Sequence, residues 1–433
     1  MRVARNITDH EQPLLFADDR ACRRPSHDSL LDELASFRQF RTTTQVTSLG
    51  DGADAVPVFV NEFWTSKQRA ASSIHEISYR ACFKPQLPRF FIERLTSEED
   101  VVYDPFLGRG TTAIEAALLR RRIVGCDINP LSRILTEPRL RPPKPGDVRD
   151  KLDSISWDYE EKVPADLLTF YHSKTLREIC ALRRYLLDRG SGPRMSDADR
   201  WIRMVATNRL TGHSAGFFSV YTLPPTQAVS SERQRKINEA RKQKPPRRDV
   251  PDLILRKTNT LLRSLTNENR DALDRASSDA LFITGSSDST PQIEDGSVDL
   301  VVTSPPFFNV VDYAGDNWLR CWFNEIDGKQ VDIWMFRDAQ AWSAAMERVF
   351  VELCRVLKRG AHVAFEVGEV HGGKLKMEDL VIPAARSAGL DPVLLLINAQ
   401  EFTKTSNCWG VTNRTAGTNT NRVVLLRKPP VDT

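Results

Sequence analysis

Residues 298–307 constrain the fold more than any other stretch. Val298-Asp299-Leu300-Val301-Val302 is a mostly apolar, strand-forming run, and Thr303-Ser304-Pro305-Pro306-Phe307 follows it directly. Such a run delivers a small polar residue, two prolines and an aromatic ring to a strand's carboxyl end. Two consecutive prolines offer no N–H and hold φ near one value. The chain therefore leaves the sheet as a stiff corner with its carbonyls turned outward. Open α/β sheets take their ligands beyond the carboxyl ends of the strands. An acceptor on Ser304, the Pro305 carbonyl and the ring of Phe307 then converge on one small volume. Such a corner can hold a planar group by its exocyclic amine and stack on its face. The plain alternative is a strand-ending turn, since Pro-Pro punctuates many loops.

A second motif lies far upstream. Val101-Val102-Tyr103 reads as a buried strand, Asp104-Pro105-Phe106-Leu107-Gly108-Arg109-Gly110-Thr111-Thr112 as a loop, and Ala113 to Leu119 as a helix. Strand, glycine loop and helix form the first half of a nucleotide-binding α/β unit. Gly108 and Gly110 let backbone approach a ligand closely, and Thr111 or Thr112 is expected to cap the helix. Arg122 to Cys126 reads as the next strand and ends in Asp127, placed 17 residues after Gly110 to accept from ribose hydroxyls. Neither G-x-G-x-x-G nor G-x-x-x-x-G-K-[ST] occurs, which disfavours a dinucleotide or a triphosphate. A ribose-containing ligand without phosphates fits better, and S-adenosylmethionine is one.

Together, D-P-F-x-G-x-G-T-T and T-S-P-P-F resemble the amino-methylating DNA methyltransferases, which modify cytosine at N4 or adenine at N6. The resemblance implies a Rossmann-like α/β sheet dependent on S-adenosylmethionine. It implies catalytic roles for Ser304, Pro305, Pro306 and Phe307. It also implies cofactor contacts from Asp104, Pro105, Phe106, Gly108, Gly110, Thr111, Thr112 and Asp127. A serine at position 304 resembles the cytosine-N4 enzymes more than the adenine enzymes. Ser78 to Leu87 resembles the family's cofactor-side motif, with Tyr79 and Phe83 as its contacts. Asp288, in Gly285-Ser286-Ser287-Asp288, stands where the family places a polar contact to the adenine. The cofactor motif precedes the catalytic one by 194 residues, the arrangement with the target-recognition region between them.

The expected organisation is a polar, partly disordered extension over 1–55, a cofactor-binding half over 56–135, an inserted helical recognition region over 136–280 and a catalytic half over 281–433. The chain has 433 residues, 40% hydrophobic and 27% charged, enough for one large α/β domain and a smaller one. Its seven cysteines form no C-x-x-C pair, which fits a reduced cytoplasmic protein without structural zinc. No signal peptide or membrane-spanning run is read.

Within the insert, Leu168, Tyr171, Leu176, Ile179, Leu182 and Leu186 have helical spacing, and 199–205 reads as another helix starting near Asp197 or Asp199. Gly212 to Tyr221 follows, ending in Pro224-Pro225. Ser231 to Lys257 then carries ten Arg and Lys against four acids, while the whole chain is only +4. A concentrated basic strip is the footprint of a phosphate backbone, although many charge runs are simply solvated faces. Arg233, Arg235, Lys236, Arg241, Lys242, Lys244, Arg247 and Arg248 are the expected DNA contacts. Downstream, Trp342 to Leu357 reads as a helix closed by the basic turn Lys358-Arg359-Gly360. Strands are read at 361–367, 392–397 and 422–426, the last two resembling the closing antiparallel pair of the methyltransferase sheet. A long Thr/Asn/Gly-rich loop is expected over 403–421, and His362 is read as a strand residue without a catalytic role.

The expected function is site-specific transfer of a methyl group from S-adenosylmethionine to cytosine N4 in double-stranded DNA, in a restriction–modification setting with a possible partner endonuclease. Accepting the amine hydrogens at Ser304 and the Pro305 carbonyl draws the nitrogen toward tetrahedral geometry. A duplex target must be flipped out, to be stacked on Phe307, with Phe308 or Tyr313 completing the pocket. Adenine-N6 methylation, guanine-N2 methylation of RNA and an inactive DNA-binding protein of the same fold are the alternatives. Oligomeric state is left open.

Overall fold

The computed structural model describes residues 27–40, 42–65, 71–79, 82–190, 194–222, 228–306, 313–336, 338–367, 369–370, 375–403 and 416–430. The chain begins with α1 (His27–Ala35), β1 (Gln45–Leu49), β2 (Val56–Asn61) and α2 (Gln86–Leu95). β3 (Val101–Asp104), α3 (Thr111–Leu118), β4 (Arg122–Asp127) and α4 (Leu131–Thr136) follow. Six helices come next: α5 (Pro145–Asp153), α6 (Ser173–Arg189), α7 (Asp197–Arg209), α8 (Ser231–Ala240), α9 (Val250–Leu262) and α10 (Asn267–Ser278). β5 (Leu281–Thr284), β6 (Val298–Thr303), α11 (Tyr313–Asn324), α12 (Ala339–Val356) and β7 (Leu357–Val367) return to the sheet. A two-residue ladder, β8 (Glu369–Val370) with β9 (Leu375–Lys376), precedes α13 (Glu378–Ser387), β10 (Asp391–Thr403) and β11 (Ala416–Arg427).

Nine strands form one sheet in the order β1-β2-β10-β11-β7-β6-β3-β4-β5. β7, β6, β3, β4 and β5 are mutually parallel, and β11 runs antiparallel to both β7 and β10. All six residues of β6 are buried, because helices cover both faces of the sheet. Even Asp299 is enclosed there, its carboxylate accepting from Lys358 Nζ at 2.8 Å. This is the expected α/β sheet with a parallel centre and an antiparallel closing pair, with α5 to α10 inserted between β4 and β5. The insert is not a separate body. Trp201, Leu182 and Ile254 belong to the same hydrophobic core as Ile114 of α3 and Phe90 of α2.

Four expectations change. Part of the expected N-terminal extension is built into the core: Leu30, Leu34 and Phe37 are buried against Phe63 and Phe90, and β2 lies parallel to β10, Val58 opposite Leu395. Helix α12 stops at Val356, so Lys358-Arg359-Gly360 is strand rather than a capping turn. Gly360, at φ +75, lies where the β6–β7 register shifts, a bulge that only glycine enters without strain. β10 and β11 pair as far as Thr403 opposite Ala416, which shortens the expected loop to residues 404–415, outside the described residues. Leu168 is 40% exposed in a 3₁₀ turn, and the helical pattern starts only at Ser173. α7 is capped by Ser196, whose Oγ and N–H exchange hydrogen bonds with Asp199. Among the described residues no helix is long and apolar enough to cross a membrane.

Candidate active site

The glycine loop turns from β3 into α3. Gly108 and Gly110 have φ of +51 and +73, the left-handed region, and a Cβ on Gly110 would lie 2.2 Å from Thr136 Oγ1. Neither threonine caps α3. Thr111 Oγ1 accepts from Arg109 Nε at 3.1 Å, and Thr112 Oγ1 donates to the Val302 carbonyl at 3.0 Å, which ties the helix to β6. At the end of β4, the Asp127 carboxylate accepts from the N–H of Gly108 at 2.7 Å and of Asn129 at 2.8 Å. Burial raises its pKa against those two bonds. Asp104 accepts from Thr303 Oγ1 at 2.6 Å and from the Phe106 N–H at 3.1 Å, which joins the glycine loop to the β6 corner. Burial pushes its carboxyl up to about 7.

The corner is set by strand register. Thr303 stands opposite Phe365, so the next residues, Ser304 and Glu366, are neighbours. Ser304 Oγ donates to Glu366 Oε2 at 2.7 Å, and Asn421 Nδ2 donates to Oε1 at 3.3 Å. Glu366 is buried, and burial raises its pKa although both bonds oppose that. Trp342 Nε1 donates to the Pro306 carbonyl at 3.1 Å and fixes the second proline. Phe307 and Phe308 lie outside the described residues, as does the side chain of Tyr313.

Loop, Asp127 and corner face one cleft of about 880 Å³, its open mouth included. Ser304, Pro305 and Pro306 line one end; Tyr79, Phe83, Asp104, Phe106, Gly108, Thr111 and Asp127 line the rest. Pro105, Gly110 and Thr112 stand behind this wall and shape it. Asp288 is held beside the cleft by two partners. Its carboxylate is bound by Arg348 at 3.1 Å and accepts from Ser286 at 2.5 Å, and it is Ser286 and Ser287 that line the cleft.

Sequence reading missed three residues here. Glu366 is found only through the β6–β7 register. Trp334 lines the cleft edge-on to Phe106, with ring centroids 6.3 Å apart. Arg109 lines it too, 7% exposed, donating to the carbonyls of Ile77 at 2.9 Å and Phe83 at 3.3 Å. It has no carboxylate partner among the described residues, and its neighbour Arg139, fully buried, is pulled down to about 9 by burial and by Arg109. The position of Arg109 between the two loop glycines was its only sequence signal.

The basic strip is divided by the fold. Arg233, Arg235 and Lys236 lie on α8, while Arg241, Lys242, Lys244, Arg247 and Arg248 follow it. Arg235 pairs with Asp166 at 3.5 Å, Lys236 with Glu232 at 2.9 Å, and Arg247 with Glu178. The Arg241 guanidinium stacks on Tyr221 at 4.0 Å. The strip therefore carries less free charge than its composition implies.

Residues 8–133 match the model of a family described as DNA methylase. The Type II methyltransferase M.BsoBI of Geobacillus stearothermophilus is 25% identical over 297 residues, 60% of this chain and 54% of that protein. M.MvaI of Kocuria varians, another Type II methyltransferase, is 31% identical over 86 residues, 19% of each chain. The matched stretch thus spans about half the length of the first relative and less of the second. Among solved structures, the rRNA methyltransferase aviRa of Streptomyces viridochromogenes aligns over 85% of this chain and 94% of its own, at 13% identity and a TM-score of 0.33. S-adenosylmethionine is the cofactor that the matched DNA methylase family indicates. The residues present fit it: a carboxylate beside the glycine loop, aromatic rings for a base, and a buried cation without an acid for a carboxylate. Over residues 8–133, which include the glycine loop and Asp127, the chain is similar to the DNA methylase family, and 297 of its residues are 25% identical to a Type II methyltransferase.

Proposed function

We propose that this protein is a site-specific DNA methyltransferase acting on the exocyclic N4 of cytosine. The observation that carries the reading is the Ser304–Glu366 hydrogen bond at 2.7 Å, in the same cleft as Asp127 and the glycine loop. With its own proton committed to Glu366, Ser304 Oγ turns its lone pairs outward as acceptors. The Pro305 carbonyl is the second acceptor. Two acceptors on one amine draw its lone pair out of conjugation with the ring and aim it into the cleft.

Asp127 would hold the ribose, Phe106 and Trp334 the adenine, and Arg109 the carboxylate of S-adenosylmethionine. When bound, that cofactor supplies a methyl group already activated on its sulfonium. The protein's work is then alignment, dry surroundings and removal of one proton. After transfer the nitrogen carries an extra proton. Ser304 Oγ accepts it while its own proton passes to Glu366, so charge balances without a covalent intermediate. The serine supports cytosine-N4 through its likeness to those enzymes.

Incubating the protein with labelled S-adenosylmethionine and mixed-sequence duplex DNA, then analysing nucleosides by mass spectrometry, tests this. N4-methylcytosine is the expected product. N6-methyladenine would overturn the base assignment and leave the cleft chemistry standing. Label in RNA alone would overturn the DNA reading.

A further inference from the structure

Between α7 and α8 the chain makes an excursion, Gly212 to Tyr221, that the proposed chemistry does not use. Its ends meet in a bridge between those two residues. The Thr222 N–H donates to the Gly212 carbonyl at 3.2 Å, and the Gly212 N–H to Ser219 Oγ at 3.3 Å. The Phe217 ring presses on Gly212 so closely that a Cβ there would lie 2.3 Å from it. Phe217 and Phe218 are buried, whereas His213, Ser214 and Ala215 at the tip are exposed. A loop with a packed base and an exposed polar tip is a stiff finger, and such loops commonly carry recognition.

The finger is rooted in the wall of the cleft. The Asn208 side chain exchanges two hydrogen bonds with the backbone of Ser78, at 2.7 and 3.1 Å, and the next residue, Tyr79, lines the cleft. Arg320 of α11 donates to the Ser78 carbonyl at 3.1 Å. Trp318 of the same helix donates to the Ala228 carbonyl at 3.1 Å, just beyond the finger. One helix, the first element described after the catalytic corner, thus contacts both the Ser78 backbone that Asn208 binds and the chain that follows the finger.

The surroundings are cationic. Beneath the finger, Arg209 stacks on Phe217 at 4.0 Å, and Arg209 and Arg320 are 8% and 6% exposed. Arg320 has the charge of Asp316 near it, and burial with the nearby Arg320 pulls Arg209 down to about 10. Beside the finger, exposed Arg241 stacks on Tyr221. Three guanidiniums around an exposed polar tip suit a polyanion that also offers hydrogen-bonding edges.

We propose that the Gly212–Tyr221 finger reads the target sequence in duplex DNA, with His213 and Ser214 meeting base edges and Arg241 holding an adjoining phosphate. This rests on the reading that the protein methylates DNA. The test is methylation of a randomised duplex library, with modified positions sequenced, for wild type, His213→Ala/Ser214→Ala, Gly212→Ala and Arg241→Ala. Cofactor affinity and thermal midpoint are measured alongside. The tip variant is expected to lose discrimination at one or two base pairs by about tenfold or more, with cofactor affinity unchanged. Gly212→Ala, which breaks the base of the finger, is expected to do the same. Arg241→Ala is expected to weaken binding evenly across sequences and to flatten its salt dependence. Wild-type selectivity in both the tip variant and Gly212→Ala would overturn the inference while leaving the proposed function intact. A wild-type protein that binds cofactor yet methylates no DNA would overturn both.

Discussion

Gly110→Ala tests whether the cofactor loop has the shape described. At φ +73 an added Cβ costs about 1–2 kcal/mol in backbone strain. The Cβ would also lie 2.2 Å from Thr136 Oγ1, 2.4 Å from its Cγ2 and 2.8 Å from its Cβ. Forcing a methyl into a filled site costs about 1–3 kcal/mol. The sum is a loss of roughly 2–5 kcal/mol. The second cost depends on Thr136, so Thr136→Ala should recover part of it. Thr136 Oγ1 has no hydrogen-bond partner among the described residues, so losing it is cheap. The Thr136 Cβ stays, so relief is partial, about 1 kcal/mol or more in a double-mutant cycle. Urea unfolding of the four proteins gives the energies, and titration with S-adenosylmethionine shows whether the loop still receives it. Gly110→Ala should weaken binding, and the double variant should regain some of it. A single variant within about 0.5 kcal/mol of wild type, or strictly additive effects, would refute the reasoning.

Three further predictions concern the chemistry. Ser304→Ala and Glu366→Gln should each lower kcat by about 10²–10⁴-fold with cofactor affinity unchanged. Because burial raises the Glu366 pKa and the relay needs it ionised, kcat should fall as pH drops through a point above the ordinary carboxylate range. Glu366→Gln should abolish that limb, and a limb that survives in the variant would assign it elsewhere. Arg109→Met should weaken S-adenosylmethionine binding at least tenfold while sparing 5′-methylthioadenosine, which lacks the carboxylate, on the scale of a charge-assisted bond. Equal losses for both ligands would reduce Arg109 to a scaffold. Asp104 bears on stability: its folded pKa of about 7 lies above the ordinary value of 3.8, so the folded state holds this proton more tightly. Its stabilising effect is complete below the unfolded pKa and is lost as pH rises through the folded one, roughly 4 kcal/mol in all. Asp104→Asn should flatten that part of the stability–pH curve, as denaturant midpoints from pH 4 to 8 would show.

Much of the site was readable locally. Ser304-Pro305-Pro306 and the Asp104–Thr112 loop depend on neighbours in sequence, on two prolines and on two glycines of positive φ, so strand, corner and loop were placed correctly. The roles of Thr111 and Thr112 were not readable, because Thr112 turns to the Val302 carbonyl, 190 residues away. The Arg348 partner of Asp288 was not readable either, because it comes from another helix. Nor were the partners of the basic strip readable, because Glu178 and Asp166 meet two of its guanidiniums from 69 residues away in sequence.

By itself the sequence determined the parallel α/β class, the carboxyl-end corner and the glycine loop, since these follow from hydrophobic runs and backbone preferences that act over a few residues. Only the tertiary structure decided that Glu366 meets Ser304, that Arg109 is enclosed without an acid, that residues 27–61 extend the sheet, and that Gly212 to Tyr221 stands rooted beside the cleft. Each of these is a contact between segments far apart in the chain. Strand register and helix packing set such contacts, and no local pattern encodes either.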